Sequence, residues 1–251
     1  MHAIKYWLIV MLWGTIMSSY AVEQHTILLI ADPKILSVPT MDNHELMIDL
    51  KNQQAIAYGP SPEIPNNTDY TQLRETVYNK LIKAQNLLPK GLHFCLYEGY
   101  RSLQLQKKLF DERYARVKAK HPGWSQSQLF EETTKLVSPV VNLDGSNNIP
   151  PHSTGGAIDV YLVDDQSNAV DMGIHPKDWM QDLNSSLSLT NSQVISEDAK
   201  TYRRIMTNAL LAVGFVNYPT EYWHWSYGDR YWAYHQHKPH AIYNSYHNPK
   251  P

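Results

Sequence analysis

The stretch His152-Ser-Thr-Gly-Gly-Ala-Ile-Asp-Val-Tyr-Leu-Val163 passes from a polar bend into a run with strand composition. His152 and Asp159 are both suited to bind a borderline-soft metal ion. They lie seven positions apart, and in one unbroken strand an odd spacing sends side chains to opposite faces. Gly155 and Gly156 supply a bend that can bring both to one point. Ala157 to Val163 reads as the strand that carries Asp159. Taken alone, His-x6-Asp is common by chance and reads more readily as an ordinary capped loop.

Working outward, a second pair stands at Glu221-Tyr-Trp-His224. A spacing of three puts both residues on one side of a single helical or 3₁₀ turn. His152, Asp159 and His224 would then give three N/O ligands with a fourth position open, the donor set of a catalytic zinc site holding one ion per chain. Glu221 would remain a free carboxylate at its edge, placed to accept a proton from an attacking water.

The 251 residues carry 22 Lys and Arg against 24 Asp and Glu, a net charge of −2. That balance points to neither nucleic acid nor an anionic membrane surface as partner. Hydrophobic residues make up 43%, enough for a globular core without disulfides. The lone cysteine, Cys95, sits in the apolar run Leu92–Tyr97 and reads as an inert buried thiol. The aromatic content is 17 Tyr and 7 Trp against 4 Phe, which suits a polar groove and half-buried positions alike.

Glu45–Leu50, Leu92–Tyr97 and Ala157–Val163 are expected strands. Helices are expected over Tyr70–Leu88 with Asp69 as its cap, over Ser102–Lys120, from a Ser125/Gln128 capping box to Val137, and over Ser196–Val213. Val140–Pro151 and Asp164–Leu189 read as irregular, and Phe215–Tyr234 as aromatic and strand-like. With no repeat and no linker, one α+β domain over residues 22–251 is the simplest account.

Residues 1–21 differ from the rest. Lys5 is their only basic residue, an apolar run follows from Tyr6 to Met17, and Ser19 and Ala21 stand at −3 and −1 of a cleavage site. This is the pattern of a secretory signal, implying a periplasmic or secreted chain with no stable membrane association after cleavage. An uncleaved anchor is the alternative, though the run is short for a span.

Three blocks carry a resemblance to a known family: Glu98-Gly-Tyr-Arg-Ser102, His152-Ser-Thr-Gly-Gly-Ala-Ile-Asp159 and Glu221-Tyr-Trp-His-Trp-Ser-Tyr-Gly-Asp-Arg-Tyr-Trp-Ala233. In order and spacing the chain resembles the zinc D-alanyl-D-alanine dipeptidases, the family that includes the vancomycin-resistance dipeptidase. The resemblance runs from about Leu50 to Tyr243. It implies a central, mostly antiparallel sheet with packed helices, the hedgehog-like D,D-peptidase type. It implies zinc on His152, Asp159 and His224, Glu221 as the catalytic base, and Arg101 as the residue that steadies the oxyanion. The implied substrate is the small dipeptide D-Ala-D-Ala.

Two departures bear on substrate. Pro150 stands where the family usually has a serine. The segment Asp171-Met-Gly-Ile-His-Pro-Lys-Asp178 is one residue longer than its counterpart, leaving Asp178 as the candidate partner of the dipeptide's free amine. Alternatives are a D,D- or L,D-carboxypeptidase acting on stem peptides, or a non-catalytic cell-wall-binding module.

Overall fold

The computed structural model describes residues 27–246. The expected signal at 1–21 lies outside them. A five-stranded sheet forms the centre. Its strands are β2 (Ala57–Tyr58), β4 (His93–Glu98), β5 (Ala157–Val163), β6 (Val216–Asn217) and β7 (His224–Ser226), in spatial order β2-β4-β5-β7-β6. Only the β2–β4 pair is parallel. A separate antiparallel pair joins β1 (Met47–Asp49) to β3 (Gln72–Arg74). Around these lie α1 (Pro33–Leu36), α2 (Glu75–Gln85), α3 (Leu103–Lys120), α4 (Gln126–Thr134), α5 (Glu197–Ala212) and α6 (Arg230–His235). The architecture is α+β with a mostly antiparallel central sheet, as expected.

Side-chain caps fix the helix starts. Ser102 accepts from the Leu105 amide, Ser196 from that of Ala199, and Ser125 with Gln128 forms the expected capping box. On β5, Ile158, Val160 and Leu162 join the main core, together with Val77 and Leu81 of α2 and Met206 and Leu210 of α5. Alternation then sends Asp159 to the opposite face. The register places Glu98 of β4 and His224 of β7 directly beside Asp159, so three functional side chains share one row across the sheet. The β4–β5 ladder shifts between Leu96 and Glu98, next to this row, as bulges at functional sites do.

Two expectations need correction. The helix expected from Tyr70 begins at Glu75, and Asp69 opens a 3₁₀ turn (Asp69–Thr71) instead of capping it. Residues 72–74 are drawn into pairing with β1, which overrides their helical spacing. Part of the tail expected to be strand-like is helix α6, because the Asp229 carboxylate caps it by accepting from the Trp232 amide.

The glycine bend is also sterically required. Gly155 has φ +71°, ending the 3₁₀ turn Pro151–Thr154. A Cβ on Gly156 would lie 2.4 Å from the backbone oxygen of Tyr227. Gly156→Ala should therefore force β5 and β7 apart and lower stability by about 1–3 kcal/mol. Denaturant unfolding checks this; an unchanged midpoint would refute the close approach.

Candidate metal centre and catalytic cavity

His152 sits on the 3₁₀ turn before β5, Asp159 on β5 and His224 at the start of β7. All three are buried. His152 Nε2 lies 3.3 Å from Asp159 Oδ2, and His224 Nδ1 lies 3.0 Å from Asp159 Oδ1. The two inward imidazole nitrogens are 3.1 Å apart.

The donor set fits a metal ion. His152 Nδ1 lies 2.8 Å from the Gly99 carbonyl oxygen, so the proton belongs there and the Nε2 lone pair faces inward. Two inward imidazole lone pairs at this separation repel unless a proton or a cation stands between them. Tetrahedral zinc, with bonds of about 2.0–2.1 Å, sets its ligands about 3.3 Å apart, close to the spacing present. Burial would raise the Asp159 carboxyl, but His152 and then His224 hold it well below the usual carboxylate range. Among the described residues, this is the one group of three or more His, Cys, Asp or Glu side chains close enough to share an ion.

Glu221 occupies the turn that leads into β7. The His224 amide donates to the Glu221 carbonyl at 3.1 Å, which makes the expected single turn between them. The Glu221 carboxylate is buried in the same cavity and accepts from the Trp223 indole at 2.8 Å. Burial, and then the charge of Asp159, push its pKa well above the usual value. A carboxyl raised in this way holds a transferred proton more readily than an exposed one.

Arg101, just before α3, also lines the cavity. Its guanidinium pairs with Glu98, donates to Gln106 Oε1 at 3.0 Å, and lies 4.0 Å from Asp159 Oδ2. Gln106 in turn donates to the Ser138 carbonyl at 2.7 Å, fixing the assembly to the loop beyond α4. Burial opposes the Arg101 charge, but Glu98 outweighs it and keeps the group protonated. Arg101 Nε has no hydrogen-bond partner among the described residues, leaving a donor for an incoming group.

The structure brings five of the six expected site residues together: His152, Asp159, His224, Glu221 and Arg101. Asp178 is not among the cavity's lining residues. It lies on the 3₁₀ turn Pro176–Gln181, and its carboxylate accepts from Gln181 at 3.2 Å. The next residue, Trp179, reaches the cavity instead. Sequence reading missed Glu63, Tyr97 and Trp179 in the wall. The signals were faint: an acid in the proline-broken segment Pro60–Pro65, and one tryptophan within an irregular stretch.

A buried ligand cluster flanked by a raised carboxyl and an anchored guanidinium is a hydrolytic arrangement. Residues 66–244 match the family model described as D-ala-D-ala dipeptidase, and the chain belongs to that family. A D-alanyl-D-alanine dipeptidase of Synechocystis sp. is 25% identical over 229 residues, covering 82% of this chain and 91% of that protein. Solved structures align more loosely. The LD-carboxypeptidase LdcB is 13% identical with a TM-score of 0.40, covering 78% of this chain and 76% of its own. VanYB in complex with D-alanine-D-alanine is 17% identical with a TM-score of 0.38, covering 82% and 93%. Membership therefore rests on the sequence match.

Proposed function

We propose that this chain is a zinc-dependent D,D-dipeptidase that hydrolyses D-Ala-D-Ala to two D-Ala. The observation that carries the reading is the cluster of His152, Asp159 and His224 with Glu221 in the same cavity. It combines with membership of a dipeptidase family and the named Synechocystis relative. Zinc held by these three side chains would supply Lewis-acid polarisation and a water of lowered pKa.

The chain's own residues then do the following. Glu221 accepts the proton as the water oxygen adds to the peptide carbonyl carbon. It returns that proton to the departing nitrogen as the C–N bond breaks, so one water is consumed and a free amine and a carboxylate are formed. Trp223 orients the Glu221 carboxylate for both transfers. Arg101, pinned by Glu98 and Gln106, directs positive charge at the oxygen that becomes anionic. A preorganised donor of this kind contributes about 3 kcal/mol.

A D,D- or L,D-carboxypeptidase acting on stem peptides is the competing reading. Glu221 and Arg101 stand against a merely binding module, because binding requires no base. Incubating the zinc-loaded chain with D-Ala-D-Ala, L-Ala-L-Ala and a stem pentapeptide decides between them. Release of D-Ala from the free dipeptide, well ahead of the pentapeptide, is expected. Faster release from the pentapeptide would replace this reading with the carboxypeptidase one.

Export belongs to the same proposal. The charge and short apolar run of residues 1–21 support it, and no helix of the described residues is long and apolar enough to cross a membrane. Mass spectrometry of the protein from its host should find a chain that begins at Val22. A soluble chain retaining Met1 would contradict it.

A further inference from the structure

The turn that carries His152 is held from outside by donors from three separate parts of the chain. Four consecutive carbonyls, those of His152, Ser153, Thr154 and Gly155, each accept from a residue beyond the turn. The Arg101 amide donates to His152 at 3.2 Å, the Tyr246 amide to Ser153 at 2.7 Å and the Arg74 amide to Gly155 at 3.0 Å. Arg74 Nε donates to Thr154 at 2.8 Å. Arg101 belongs to the catalytic cavity, but neither Arg74 nor Tyr246 lines it.

Arg74 ends β3, in the two-stranded sheet outside the central one, and is 2% exposed. Met47, its partner across that pair, packs on the same bend, since a Cβ on Gly155 would lie 2.5 Å from the Met47 side chain. The Arg74 guanidinium also donates to the Glu45 carbonyl, and to that of Asn244 at 3.4 Å. It lies 5.0 Å from the Tyr243 ring and 5.2 Å from the Tyr246 ring. The Tyr246 carbonyl accepts from the Tyr100 hydroxyl at 2.9 Å. One buried side chain thus joins the β1–β3 pair, the His152 turn and the segment Tyr243–Tyr246. A planar fork with fixed donor directions can serve three carbonyls at once, which a single ammonium on a flexible stem does not.

A single 3₁₀ turn is a weak element by itself, so the position of His152 depends on what holds the turn. Before an ion binds, the two inward imidazole nitrogens, 3.1 Å apart, repel each other, and a loose turn would swing His152 away. Holding the turn in place lowers the reorganisation that binding requires and tightens the ion.

We infer that Arg74, with the segment Asn244–Tyr246, is a positioning clamp on the His152 turn that sets the affinity for the metal ion. The inference rests on the zinc reading for the identity of that ion. It concerns binding and is tested apart from turnover.

The test measures zinc affinity by competition with a chromophoric chelator in the parent, in Arg74→Lys, and in chains that end after Tyr243 or after Tyr246. Arg74→Lys keeps the charge and the backbone amide but loses the fork. The chain ending after Tyr243 leaves Arg74 untouched and removes the Tyr246 amide. Both should bind zinc about 10- to 100-fold more weakly than the parent. The chain ending after Tyr246 should keep the parent's affinity. Unfolding of the metal-free chains, run alongside, identifies the folded variants. If Arg74→Lys does not fold, the chain ending after Tyr243 decides.

A role confined to folding would lower the unfolding midpoint and leave the zinc affinity of the folded chain unchanged, and that result overturns the inference. So does an equal loss of affinity in the chain ending after Tyr246. Failure of the zinc reading is seen separately, as a parent that binds no zinc. The clamp is then read from hydrogen exchange at the Ser153, Gly155 and Gly156 amides of the metal-free chain. Arg74→Lys should speed that exchange, and unchanged rates overturn the clamp.

Discussion

Glu221→Gln should keep its fold and its metal and lose between about 10²- and 10⁴-fold in kcat on D-Ala-D-Ala. Glutamine reproduces the shape of the side chain and can still face the Trp223 indole, but it accepts no proton. The loss should fall on kcat with little change in KM, because the base acts on the water during the chemical step and does not hold the dipeptide. Metal content and unfolding midpoint, measured on the same preparation, separate loss of the base from loss of the site. A folded, metal-loaded variant turning over at near wild-type rate would remove Glu221 from the mechanism.

His152→Ala and His224→Ala should each reduce bound zinc from one per chain to near zero and bring turnover to background. Two remaining ligands do not hold the ion in a closed geometry. Stability should fall as well. Asp159 is buried against both imidazoles, and removing one partner of a buried charge costs on the order of 3 kcal/mol. Elemental analysis and denaturant unfolding check the two effects independently. Full zinc occupancy in both variants would mean that the ion, if any, binds elsewhere.

Much of this site is readable from the sequence because its members are locally encoded. His152 and Asp159 come from one turn-and-strand unit whose bend is written in Gly155 and Gly156. Glu221 and His224 come from one turn. Register then does what spacing alone cannot, setting Glu98, Asp159 and His224 side by side. Glu63 and Trp179 were illegible for the opposite reason. Each lies in an irregular segment whose path is set by packing, and they meet across 116 positions of sequence.

Asp178 illustrates the same limit from the other side. It lies next to Trp179 on the 3₁₀ turn Pro176–Gln181, outside the cavity's lining, and spacing alone does not say which of two neighbours on such a turn reaches the wall. The misplaced start of α2 has a similar cause. Helical spacing from Tyr70 is genuine, yet residues 72–74 satisfy their backbone groups by pairing with β1. In α6, the Tyr- and Trp-rich composition suggests strand, while the Asp229 cap settles the segment as helix.

The central claim is that His152, Asp159 and His224 hold one zinc ion on which D-Ala-D-Ala hydrolysis depends. Its most direct test is titration of the metal-stripped chain with zinc while D-Ala release is followed. Activity should be absent at the start, rise linearly and saturate at one zinc per chain. Full activity in the stripped chain, or saturation with no release of D-Ala, would contradict it.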